Sequence, residues 1–86
     1  MRKILFDYVC YDDFTEWSKT DSKIFKKNCK LIKETARNPF SGTGKPEPLK
    51  HNLRGYWSRR IDSEHCLIHK VTEDEIIITS CRSHYE

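Results

Sequence analysis

The 86-residue sequence contains no apolar run near the roughly 18 residues that a membrane-spanning helix needs. Its first residues, Met1-Arg2-Lys3-Ile4-Leu5-Phe6-Asp7, turn charged too early for a signal-peptide core. The expectation is a cytoplasmic protein with no membrane partner. No C-x-x-C pair occurs, so the four cysteines, Cys10, Cys29, Cys66 and Cys81, read as reduced thiols rather than a disulfide scaffold. Cys66-x-x-His69 and Cys81-x-x-His84 resemble zinc-ligand pairs, yet both fall in segments read as strands, where positions i and i+3 point to opposite faces. No metal and no cofactor is expected. Glycine and proline are scarce, at three each, and all three prolines and two of the glycines fall within residues 38–48, which excludes a helix there.

Hydrophobic residues make up 36% of the chain and aromatics 12%, enough for one small core, so residues 1–86 form a single domain. A domain of this size buries only about 60% of its unfolded surface, and a partner would add to its stability. The net charge of +3 is unevenly spread: +2 over residues 1–36, +5 over 37–60 and −4 over 61–86. A basic middle with one carboxylate in it, Glu47, favours a polyanionic partner, and nucleic acid leads that class.

Residues 2–6 read as a first strand. Val9, Cys10, Phe14 and Trp17 then recur at helical spacing, and Thr20-Asp21 supplies a stop and a new N-cap. From Lys23 to about Arg37, Ile24, Asn28, Leu31, Ile32 and Thr35 share one stripe, with lysines over the remaining surface. Residues 38–48 read as a long structured loop. Tyr56–Ile61, Cys66–Thr72 and Glu75–Cys81 are rich in β-branched or aromatic residues and read as an antiparallel meander. The fold class is α+β, in the order β-α-α-β-β-β, with a two-helix hairpin on one face of an antiparallel sheet.

Three strings carry a resemblance to a known family: Pro39-Phe40-x-Gly42-x-Gly44-Lys45-Pro46-Glu47-Pro48-Leu49-Lys50-His51-Asn52-Leu53, Gly55-x-Trp57-Ser58-Arg59-Arg60-Ile61, and Cys81-Arg82-x-His84-Tyr85. With Trp17, Thr20-Asp21, Lys26-Lys27 and Glu64-His65, they make the whole chain resemble the YoeB toxins of the RelE/ParE superfamily. The resemblance implies a microbial-ribonuclease-like fold and a toxin of a toxin–antitoxin module. It further implies a metal-independent endoribonuclease that cuts messenger RNA in the ribosomal A site. The implied partners are a YefM-type antitoxin, the ribosome with its mRNA, a second copy in a homodimer, and operator DNA through the antitoxin complex only. The gyrase-poisoning branch of the superfamily is a weaker match, because Glu47 and His84-Tyr85 belong to the ribonuclease pattern.

Metal-free RNA cleavage requires a base for the 2′-hydroxyl proton, an acid for the leaving 5′-oxygen and fixed positive charge around the phosphorane-like transition state. Alone, Glu47 reads as a solvated loop carboxylate; the resemblance puts it on the proposed general base. His84, with an ordinary pKa near 6.5, falls on the proposed general acid, ahead of His51, His65 and His69. Tyr85 would stack on a base or hydrogen-bond a phosphate. Arg59 and Arg60 are strand neighbours and point to opposite faces; Arg59 shares its face with Trp57 and Ile61, so Arg60 is the better phosphate ligand. Lys45, Lys50, His51 and Arg82 are further RNA-binding candidates, against a reading as ordinary solvated side chains. The chain departs from the family pattern at Cys66, where an arginine is typical, and a neutral thiol offers no fork of donors. Three readings stand: Arg60 or Arg82 supplies the missing charge, cleavage is attenuated, or the protein is inactive and acts as an antitoxin-binding co-repressor.

Overall fold

The computed structural model describes residues 1–84, and of His84 only the backbone. Strand β1 (Lys3–Phe6) leads into α1 (Tyr8–Thr20) and α2 (Ser22–Arg37); then come β2 (Glu47–Pro48), a 3-10 turn (His51–Leu53), β3 (Tyr56–Arg60), β4 (His65–Val71) and β5 (Glu75–His84). The strands form one sheet in the order β1-β5-β4-β3-β2. From β2 to β5 the chain is an antiparallel meander that walks back across the sheet, whereas β1 joins β5 in parallel, Ile4 beside Ile76 and Phe6 beside Ile78. The α+β class and element order are those expected. The sheet is mixed rather than wholly antiparallel, because alternation of apolar residues reports a strand but carries no direction.

The two helices meet at Asp21. Its side chain accepts hydrogen bonds from the Lys23 and Ile24 amides, at 3.1 and 3.2 Å, and so caps α2, while its own N–H bonds to the Trp17 carbonyl. On α2, Asn28, Leu31, Ile32, Thr35 and Ala36 are buried. On α1 the inward residues are Cys10 and Trp17, with Phe14 in a ladder of rings, Phe6–Phe14–Phe25, at 5.0 Å centroid spacing. Val9, expected on this stripe, is 71% exposed. It precedes Cys10 by one position, about 100° around the helix, so only one of the two can face the core.

Leu67, Ile76 and Ile78 on the sheet complete the core with Leu31, Ile32 and Ile61. The helices cover one face of the sheet; the other is open. Residues 38–48 form the expected irregular stretch except at its end, where Glu47 and Pro48 pair with Ser58 and Trp57. Proline is tolerated there because β2 is an edge strand.

Candidate functional site

Pairing decides which side chains share the open face. Glu47 lies opposite Ser58, and Arg60 is two residues further along β3, which makes Arg60 the diagonal neighbour of Glu47, about 7–8 Å away and within reach of two long side chains. Arg60 lies opposite Cys66, and Cys66 opposite Ser83. A row Arg60–Cys66–Ser83 therefore crosses three strands, with Glu47 at one end and His84 the next residue after the other. Glu47 is exposed and Arg60 half-buried. Cys66 is buried, and burial pushes its thiol pKa up, so it is neutral near pH 7.

The end of β5 is irregular. Ser83 stands opposite Cys66, but Ser80 stands opposite Ile68, so three residues of β5 span two of β4. This bulge places Ser80 and Ser83 together, with their hydroxyls hydrogen-bonded at 2.6 Å. His84 is paired with His65 through its backbone. Three strand spacings, about 14 Å, separate the backbones of Glu47 and His84 across the sheet. The His84 side chain and Tyr85 lie outside the described residues.

Arg59 occupies the opposite face, where it is fully buried. Its guanidinium donates to the carbonyls of Asn38, Ser41 (2.9 Å) and Thr43 (3.2 Å), and to the Glu34 carboxylate at 3.4 Å. The Thr43 amide also donates to that carboxylate, at 2.6 Å, and this bond followed by the Arg59 charge holds the Glu34 pKa below the usual carboxylate range. A clamp of one arginine and one glutamate thus ties the end of α2 to residues 38–43, immediately ahead of Glu47. Sequence reasoning missed this role, although an arginine on the face of Trp57 and Ile61 is itself a signal that buried acceptors await it.

Two glycines fit the loop to the clamp. At Gly42, φ is +120° and a Cβ would lie 2.0 Å from the Glu34 carboxylate; at Gly44, φ is +86° and a Cβ would lie 2.9 Å from the Arg60 carbonyl. The Gly44 carbonyl in turn accepts the Arg60 amide at 2.7 Å, so the loop is hydrogen-bonded to the residue that borders Glu47.

The remaining candidates are dispersed. Lys45, Lys50 and His51 are exposed around β2 and the 3-10 turn, with Lys45 and His51 at positive φ. Arg82 is turned towards α1 instead: its guanidinium lies over the Trp17 ring at 5.0 Å and 3.7 Å from the Asp13 carboxylate. His69 points into the core, on the opposite face from Cys66, which separates the cysteine and histidine of that pair. A cavity of about 630 Å³ bounded by Arg2, Lys3, Arg37 and Glu73 lies at the other end of β5 and includes none of these candidates.

The description "YoeB-like toxin of bacterial type II toxin-antitoxin system" belongs to the family whose profile matches residues 6–85. The chain belongs to this family. It is 53% identical to Toxin YoeB of Escherichia coli K12 over 83 residues, which is 96% of this chain and 99% of that protein. Among solved structures, the YoeB dimer from Staphylococcus aureus superposes with a TM-score of 0.89 at 42% identity, covering 98% of both chains. The heterotetrameric YoeB–YefM toxin–antitoxin complex from the same organism gives a TM-score of 0.87 at 42% identity, over 99% of both chains. This YoeB-like toxin is therefore the toxin component of a type II system, and the clamp, the loop glycines and the open-face row are how its own sequence builds the family fold. No described helix of it is long and apolar enough to cross a membrane.

Proposed function

We propose that this toxin is an endoribonuclease that cuts messenger RNA on the ribosome, with Glu47 as general base, His84 as general acid and Arg60 as the phosphate ligand. The observation that carries the reading is the register: Glu47 and Arg60 are diagonal neighbours on the uncovered face of the sheet, at one end of a row that runs to Ser83, which His84 follows in the chain. Glu47 takes the proton of the 2′-hydroxyl, the oxygen attacks the adjacent phosphorus, and His84 protonates the departing 5′-oxygen. Arg60 neutralises the charge that grows on the phosphoryl oxygens. Tyr85 stacks against a base, and Lys45, Lys50 and His51 draw the strand to the edge formed by β2.

Cys66 stands directly opposite Arg60. That juxtaposition favours substitution of charge over loss of function: the guanidinium of Arg60 is one strand away from the position where the family resemblance implies an arginine. Arg82, engaged with Trp17 and Asp13, is held on the α1 side of β5. The partners follow the family. A YefM-type antitoxin binds this toxin, as YefM is bound to YoeB in the S. aureus complex, and the toxin dimerises, as YoeB does in the S. aureus dimer; silencing by the antitoxin and operator DNA met through the antitoxin complex follow from the family resemblance.

Inducible expression without antitoxin, with primer-extension mapping of mRNA on translating ribosomes, tests the reading. Glu47→Ala lowers cleavage by about 10²–10⁴-fold, the usual contribution of a general base, and leaves antitoxin binding near wild type. Undiminished cleavage in that variant removes Glu47 from the mechanism.

A further inference from the structure

Cys10 lies in the first turn of α1 and Cys81 in β5, 71 positions apart in sequence, and the fold brings them into contact. The Cys81 thiol donates to the Cys10 carbonyl oxygen at 3.9 Å, and both residues belong to one buried cluster. Both side chains are buried, and neither belongs to the open face. Their surroundings are unequal. The Cys81 pKa is lowered by the neighbouring Cys10 side chain, with the Arg82 charge and the Trp17 side chain acting in the same direction against burial and the Asp13 charge. Cys10 is pushed up by the Cys81 side chain, by burial and by the charges of Asp13 and Asp7. The pair therefore has a preferred nucleophile, Cys81, and a neighbouring thiol placed to resolve it.

We propose that Cys10 and Cys81 are a reversible redox pair, oxidised by a hydroperoxide to a disulfide that joins α1 to β5. The Cys81 thiolate attacks the peroxide oxygen; an S–O bond forms, the O–O bond breaks, and the leaving hydroxide takes a proton to become water. The Cys10 sulfur then attacks the sulfenic sulfur of Cys81, the S–S bond forms and a second water departs. Two thiols lose two electrons and two protons, and hydrogen peroxide is reduced to two waters. Access comes through the first turn of α1. Asp7 makes no side-chain capping bond there, and Tyr8 and Val9 are 80% and 71% exposed, so fraying of this turn uncovers Cys10.

The test uses the reduced full chain, treated with hydrogen peroxide and followed by intact-mass and peptide mapping. The expected result is a loss of about 2 Da, a cross-link between the Cys10 and Cys81 peptides, and reversal by dithiothreitol. The oxidised protein melts on the order of 10 °C higher, because the bond closes a long segment of chain. Cys10→Ser abolishes the mass loss. Peptide mapping of the wild type decides the matter without the variant: a cross-link to Cys29 or Cys66, or added oxygen on Cys81 with no cross-link, overturns the proposal.

Discussion

Arg59 and Arg60 are chemically identical, adjacent, and opposite in role. Arg59 is buried against three carbonyls and the Glu34 carboxylate, and Arg60 lies on the uncovered face beside Glu47. Replacing Arg59 with leucine leaves the Asn38, Ser41 and Thr43 carbonyls without this donor and the Glu34 carboxylate with the Thr43 amide alone. The expected loss is about 1–3 kcal/mol, the range for polar groups left without their partner, measured as a shift of the urea midpoint at unchanged slope. Arg59→Lys recovers only part of it, since one ammonium cannot present the guanidinium fork to acceptors spread over Asn38, Ser41 and Thr43. At Cys66 the expectation runs the other way. Cys66→Arg adds a second fork opposite Arg60 and raises translation-dependent mRNA cleavage; an unchanged rate shows that Arg60 already supplies the needed charge.

The loop before β2 owes its shape to α2 and β3 rather than to its own prolines. Glu34 reaches from the helix to the Thr43 amide, and the Gly44 carbonyl accepts from Arg60. A methyl group at position 44 would meet the Arg60 carbonyl at 2.9 Å in a backbone conformation that L-residues resist. Gly44→Ala is expected to cost about 1–3 kcal/mol and to lower cleavage at least about tenfold, as a small misplacement of Glu47 is enough for that. Retained cleavage at reduced stability, read from parallel kinetic and denaturation measurements, separates the loop from the positioning of Glu47. The same element shows where sequence patterns stop. Helix α2 was legible because its stripe repeats at the helical period and Asp21 announces its start. Strand β2 was not, since two residues, one of them proline, hold no period and exist as a strand only because Ser58 and Trp57 lie beside them.

Packed together, these elements make stability depend on pH. His69 is fully buried between the sheet and the helices, and neither ring nitrogen has a hydrogen-bond partner among the described residues. Burial, with the Arg59 charge acting alongside, lowers its pKa from 6.5 to about 4. The folded state therefore holds His69 neutral, while the unfolded chain takes up a proton below about pH 6.5. Stability is full above that pH and falls as pH drops towards 4, by about 3 kcal/mol from this residue. Glu34 acts in the same direction, because its depressed pKa favours the fold only while it is ionised. Urea denaturation from pH 7 to 4 checks the slope, and His69→Phe is expected to flatten it; an unchanged slope in that variant assigns the effect to the carboxylates.

Composition, period and motif were enough to determine the α+β class, the two helices and their junction at Asp21, the meander, the basic middle and the split between Arg59 and Arg60. All of these depend on local spacing, and spacing is written along the chain. Tertiary structure alone decided that β1 runs parallel to β5, that Arg59 and Glu34 clamp the loop, that a bulge aligns Ser80 with Ser83, and that Cys10 meets Cys81. Each of these is a relation between distant positions. Such relations are settled when buried donors must find acceptors and strands must find partners, conditions that arise only once the chain has closed on itself.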